Sequence, residues 1–232
     1  MKPKVEIADF VAGAREARGL TVIIDVFRAF SVACYAVAGG VGRIHPVAAA
    51  EEALALKRDH PDWLLAGERH ARKLTGFDFG NSPTEIRAAD LAGRTLVHTT
   101  HAGTQGLRAA AKSDLVITGS LVNAGAICRY IQAQQPATVT LVRMGHEARV
   151  RCAEDDLCAE LIRARLAGIE FDPAGIREQL RDAPSARKFF DPAAYWAPET
   201  DFELCTRVDS FDFVLRLEDA AGALPWLEPL PA

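Results

Sequence analysis

Long hydrophobic runs are missing from this 232-residue chain: no stretch approaches the ~18 apolar residues of a membrane span. The first residues, MKPKVEIADF, also lack the apolar core of a secretory leader. Basic residues are not in surplus, with 27 Lys and Arg against 31 Asp and Glu. That balance argues against a nucleic-acid-binding surface as the main activity, while leaving room for a local cationic pocket. The five cysteines (Cys34, Cys128, Cys152, Cys158, Cys205) form no CxxC pair and no zinc-ribbon spacing. Reduced thiols in a cytoplasmic protein are expected, most of them acting as small core residues, Cys152 and Cys158 included. Nucleotide motifs are absent too. GFDFGNSP (Gly76 to Pro83) lacks the GxxxxGK[ST] of a P-loop, and no helix follows Gly39-Gly40-Val41-Gly42 in the dinucleotide-binding pattern. There is no internal repeat or low-complexity tract.

What is present is an alternation of short apolar runs and longer Ala/Leu-rich segments. Leu20–Asp25, Trp63–Ala66, Thr95–Val97, Leu115–Thr118 and Thr138–Val142 read as strands. Ser31–Ala38, Ala48–Arg58, Gln105–Ala111, Ala124–Ala133 and Asp155–Leu166 read as helices. This order predicts an α/β fold with a mixed, largely parallel sheet flanked by helices, treated as one unit over 1–232. After Gly168 the texture changes: Pro173, Pro184, Pro192 and Pro198 punctuate an irregular C-terminal segment. It returns through DFVLRLEDA, a late strand or amphipathic end, to an extended LPWLEPLPA, and a subdivision near 168 is left unassigned.

Polar residues gather where the strands end. Asp25 closes the first and Arg28 follows. Gly67, Glu68 and Arg69 follow the second, and Thr99, Thr100, Gly103 and Thr104 the third. Gly119, Ser120 and Asn123 follow the fourth, and Gly145 the fifth. In a parallel sheet these ends share one rim, where ligands bind. Asp, Ser, Thr, Asn and Gly at such turns are also ordinary capping residues. Glu and Arg are not, and an unpaired charge at the end of a buried strand is costly, so Asp25, Arg28, Glu68 and Arg69 mark the rim as a candidate site.

Asp25, Glu68 and the Glu154-Asp155-Asp156 cluster offer hard oxygen ligands suited to Mg²⁺. Arg28 and Arg69 offer forks for phosphate or carboxylate, and the Thr99–Thr104 turn with Ser120 offers hydroxyls and backbone N–H groups for an anion. Phosphoryl transfer to water from a small anionic substrate fits this inventory. Asn81 and Ser82 either cap the next helix or touch ligand. His98 and His101 form an HxxH pair without an obvious third ligand, which is a weak zinc signal.

The runs IIDVFRAFSVA, LLAGERHARKLTGFDFGNSPTEI, LVHTTHAGTQGL, GSLVNAGAI, EDDLCAELI and DFELCTRVDSFDFVLRLED occur in this order between about Thr21 and Asp219. Together they resemble the 2-phosphosulfolactate phosphatase family, and the combination of GER, GFDxGNSP and a Thr-rich AGT turn is specific. The resemblance implies a Mg²⁺-dependent acid phosphatase that releases phosphate from phosphosulfolactate, a step toward coenzyme M. It places the family's motifs on Asp25, Arg28, Glu68, Arg69, Asn81, Ser82, Thr99, Thr100, Gly103, Thr104, Asn123, Glu154 and Asp155. Asp25 and Glu68 are expected to be catalytic, and both, with Asp155, to hold Mg²⁺ or orient water. Arg28, Arg69, Asn81, Ser82, Thr99, Thr100, Gly103, Thr104 and Asn123 are expected to bind substrate, with Arg28 and Arg69 clamping acid groups and the threonine turn seating phosphate, while Glu154 carries no assigned role. The family's TTNGT turn reads THAGT here, with His101 and Ala102, and the turn after Val142 is altered to Gly145-His146-Glu147. Three readings therefore stay open: this phosphatase, a phosphatase for another small phosphorylated acid, and a non-catalytic binder of an anionic metabolite. Homo-oligomerisation is open as well.

Overall fold

Val22, Ile23 and Ile24 are all fully buried, because helices cover both faces of the strand they form. Val22 and Ile24 belong to one apolar cluster with Ile127, Ile131 and Leu161, whereas Ile23 belongs to a second with Phe30, Val32 and Leu107. The computed structural model describes residues 2–219, 222 and 224–232.

The strands are β1 (Lys4–Asp9), β2 (Leu20–Ile24), β3 (Arg43–Pro46), β4 (Leu64–Arg69), β5 (Arg72–Lys73), β6 (Thr95–Thr99), β7 (Leu115–Gly119), β8 (Thr138–Arg143), β9 (Phe213–Glu218) and β10 (Trp226–Pro231). The helices are α1 (Phe10–Glu16), α2 (Ala29–Ala38), α3 (Ala50–Asp59), α4 (Pro83–Ala88), α5 (Gly103–Ala109), α6 (Ala124–Gln134), α7 (Ala153–Ala167), α8 (Ile176–Arg181) and α9 (Glu199–Cys205). Short 3₁₀ turns occupy Leu121–Asn123 and Pro184–Phe189.

All ten strands join one sheet in the order β1-β8-β2-β7-β9-β10-β3-β6-β4-β5. It is mixed and largely parallel, as the sequence predicts. β1, β8, β2 and β7 form one parallel block, and β3, β6 and β4 another. Each block contains a strand absent from the sequence-based expectation: β1, whose KVEIAD alternates charged and apolar residues, and β3, whose RIHP ends in proline.

The segment after Gly168 supplies more than irregular chain. α8 and α9 pack there, and β9 and β10 run antiparallel to each other between the two blocks. Ala220, the last residue of DFVLRLEDA, lies outside the described residues. Three antiparallel pairings separate β7 from β3, so counted along the ladder the second block runs opposite to the first. The expected single rim is thereby corrected: the polar strand ends do meet, but as the carboxyl ends of two opposed blocks rather than along one edge of one parallel sheet.

Close backbone approach brings the ends together. A Cβ on Gly67 of β4 would lie 2.5 Å from the Thr99 carbonyl oxygen of β6, and one on Gly103 would lie 2.9 Å from Asp25 Oδ2. Both are far inside van der Waals contact, so these two positions require glycine.

Candidate active site

Asp25 follows β2 and its Oδ1 accepts the Ala29 N–H at 3.2 Å, at the start of α2. Asp155, in the first turn of α7, accepts the Val26 N–H at 2.9 Å and the Gly145 N–H at 2.8 Å, tying the end of β2 to the loop after β8. Glu68 reaches in from β4 and accepts the Ala71 and His101 N–H groups, both at 2.8 Å. Glu154 accepts the Ser185 hydroxyl at 2.5 Å. All four acids are buried and line one polar cavity, which Arg28, Asn81 and Lys188 also reach.

Crowding acids in a dry cavity penalises their charged forms. Burial, reinforced by the Glu68 and Glu154 charges, raises Asp25 to about 7. Burial first, then Asp25 and Glu154, raise Asp155 well above the usual carboxylate range. Burial also raises Glu154 against the opposing pull of its Ser185 bond. Burial, then Arg28, lowers the Lys188 ammonium, while Glu154 and Asp25 oppose that shift. No hydrogen bond or ion pair engages the Lys188 ammonium among the described residues.

The other expected site residues divide sharply. Arg28 lines the cavity, yet its guanidinium is committed: it donates to Asp201 Oδ2 at 2.6 Å, to the Trp196 carbonyl at 2.9 Å and to the Ala71 carbonyl at 3.2 Å. Arg69 does not line the cavity; it donates to the carbonyls of Glu68 and Ala48 and to Thr99 Oγ1. Ser82 caps α4 and donates to Asp201. Thr100 and Thr104 bond to each other's backbone, which closes the threonine turn on itself. Asn123 pairs with Ser120 and donates to the Phe213 carbonyl. Asn81 does line the cavity, and His98 lies 3.2 Å from its Oδ1. Burial lowers His98 to about 4, so it is a neutral core imidazole. Gly103 supplies the close approach to Asp25 rather than a ligand contact.

A family model described as 2-phosphosulpholactate phosphatase matches residues 7–220. A protein of Caldanaerobacter subterraneus subsp. tengcongensis is 33% identical over 212 residues, covering 85% of this chain and 87% of the relative. Relatives from Bacillus subtilis (strain 168) and Thermotoga maritima are 31% and 33% identical, covering 90% and 84% of this chain and 91% and 88% of their own. Each of the three is named "probable 2-phosphosulfolactate phosphatase". The chain belongs to the 2-phosphosulfolactate phosphatase family.

In this member of the 2-phosphosulfolactate phosphatase family, the cavity includes residues that sequence reasoning missed. Ser185 and Lys188 come from the 3₁₀ turn that Pro184 opens, in a stretch without helical or strand periodicity. His70, His146 and Glu147 come from the loops after β4 and β8. Asp201, the buried partner of Arg28, opens the run DFELCTRVDSFDFVLRLED that carries part of the family resemblance, but nothing in the sequence marked it as a site residue. Cys152 lines the cavity rather than packing in the core, and burial with the neighbouring Glu154 and Asp155 carboxylates keeps its thiol protonated. A thiolate nucleophile there is disfavoured. Cys158 is fully buried, as expected.

Proposed function

We propose that this chain is a Mg²⁺-dependent phosphatase that hydrolyses 2-phosphosulfolactate to sulfolactate and phosphate. The observation that carries the reading is the convergence of Asp25, Glu68, Glu154 and Asp155 on one cavity that Lys188 also lines, its ammonium without a hydrogen bond or ion pair among the described residues. The family membership and the names of the relatives point the same way.

Hard carboxylate oxygens suit a hard divalent cation by their chemistry, although among the described residues these four acids do not bring three ligand atoms within 4.8 Å of one another and would draw together around the ion. Four buried carboxylates cannot all ionise together without compensation. Asp25 Oδ2 and the second oxygen of Glu154 have no hydrogen-bond partner among the described residues, while Glu68 and Asp155 are oriented by backbone N–H groups. Asp25, Glu68 and Asp155, with Glu154 beside them, would hold Mg²⁺. Once bound, the ion neutralises charge on the transferring phosphoryl group.

The protein's own groups account for the rest. Asp25 Oδ2, which no hydrogen bond engages among the described residues, would orient the attacking water and accept its proton, and the leaving 2-oxygen would take a proton from solvent. Lys188 faces the phosphoryl oxygens. Arg28 acts indirectly: its bond to the Ala71 carbonyl holds the loop next to Glu68. Five cysteines free of disulfides among the described residues support a reducing, cytoplasmic setting, and no helix there is long and apolar enough to cross a membrane.

The test is phosphate release from racemic phosphosulfolactate with Mg²⁺ and with excess chelator, alongside phospholactate and p-nitrophenyl phosphate. Release from the sulfonated substrate that chelator abolishes is expected. Equal turnover of all three esters would overturn the substrate, and turnover indifferent to chelator would overturn the metal.

A further inference from the structure

Outside the carboxylate cluster, one group of side chains has the composition of a metal site. His70, His101 and Glu147 each place a potential ligand atom within 4.8 Å of the other two, and all three line the mouth of the cavity. An ordinary surface ion pair accounts for only part of this. His70 Nδ1 lies 2.6 Å from Glu147 Oε1, and the His70 side chain is 74% exposed. The His101 imidazole makes no hydrogen bond among the described residues, and its Nδ1 is shut off from solvent without a partner. A buried polar atom left unpaired is uncommon and calls for a ligand or a bound water.

The backbone holds the three residues in place. Glu68 accepts the N–H groups of both Ala71 and His101, so one carboxylate staples the two loops that carry the histidines. Asp155 accepts the Gly145 N–H and so anchors the turn that carries Glu147. Two of the three ligand-bearing segments hold a left-handed backbone that non-glycine residues rarely adopt: His70, Ala71, Glu147 and Ala148 have φ of 53°, 63°, 52° and 53°.

We propose that His70, His101 and Glu147 bind a divalent transition-metal ion, of the Zn²⁺ or Co²⁺ class, at the cavity mouth and distinct from the hard-cation site within. Two imidazoles and one carboxylate suit such ions far better than Mg²⁺ and leave a coordination position open. Tetrahedral zinc needs its ligand atoms about 3.3 Å apart, so the 2.6 Å His70–Glu147 contact would open and the longer separations would close, a rearrangement within reach of an exposed His70 side chain. The open position faces a cavity in which Arg28 is already committed and which Arg69 does not reach. It would therefore receive an acid group of the ligand, a role that rests on the phosphatase reading.

The experiment is a Co²⁺ titration of the full chain followed by visible absorption, in millimolar Mg²⁺ to occupy the carboxylates, with Zn²⁺ competition. One Co²⁺ per chain, displaced by Zn²⁺, is expected. His101→Asn and Glu147→Gln should each weaken binding at least 30-fold with unchanged melting temperature, and Asp25→Asn should leave it within threefold. Binding that survives both mouth variants, or that Asp25→Asn abolishes, would overturn the site. Sulfolactate should shift the Co²⁺ bands, and an unchanged spectrum would overturn the acid-group role. Neither metal readout depends on phosphate release, so a failed phosphatase assay leaves the metal site standing or falling separately.

Discussion

Ionising Asp25 in the folded chain places a charge in a site only 8% exposed, beside Glu68 and Glu154. Its folded value of about 7 lies above the ordinary 3.8, so between these values the folded chain binds more protons than the unfolded one. Stability contributed by this group therefore falls as pH rises from about 4 to about 7 and does not recover above that. Thermal melts of metal-free protein across that range should show this decline, and Asp25→Asn should flatten it. Millimolar Mg²⁺ should restore stability most at the alkaline end, where the carboxylates are ionised and free of protons. Asp25 and Glu68 were legible as candidates because a carboxylate at the end of a buried strand is costly unless something binds it, and Asp155 through its acidic cluster and the family motif; the structure brings the three to one cavity. The arginines were misleading: nothing local reveals that Asp201, 173 residues away, neutralises Arg28.

That ion pair matters for the elements it joins. Asp201 on α9 binds Arg28 through one oxygen, and Ser82 and the Thr84 N–H of α4 through the other. Asp201→Ala would leave a fully buried guanidinium without its counter-charge, a change that costs about 3–5 kcal/mol. Urea unfolding should show that loss, together with impaired activity as the Ala71 loop loosens. Gly67→Ala should cost about 1–3 kcal/mol by forcing β4 away from β6, because the new methyl meets a carbonyl oxygen rather than a flexible side chain. The strands β2, β4, β6, β7 and β8 were legible because apolar residues run together in them, β-branched in all but β4. β1 was not, since an edge strand with alternating charges carries no such run, and β3 was too short and proline-ended to register.

At the scale of the whole molecule, the C-terminal strands are the joint between two parallel blocks. β9 pairs with β7, β10 with β3, and the two pair with each other over six residues. A chain ending at Ser210 would expose β7 and β3 as bare edges, and it is expected to be recovered as aggregate rather than as soluble protein. Size-exclusion chromatography of that truncation checks this directly. Sequence reasoning found the α/β alternation but not this joint, because strand order depends on contacts between residues about a hundred or more positions apart, such as Ile117 with Arg216. The opposed blocks also give the site its closed shape: acids from β2, β4 and α7 meet face to face, and the 3₁₀ turn carrying Ser185 and Lys188 closes over them.

A catalytic role would account for the electrostatically unfavourable place of Asp25, and one variant separates that role from a structural one. Phosphate release from phosphosulfolactate by Asp25→Asn should be measured together with its melting temperature at pH 8 in metal-free buffer. Activity at least ~1000-fold below wild type is expected, in a protein that melts higher by more than about 4 °C. Activity within tenfold of wild type, or a variant that melts lower, would contradict a catalytic Asp25.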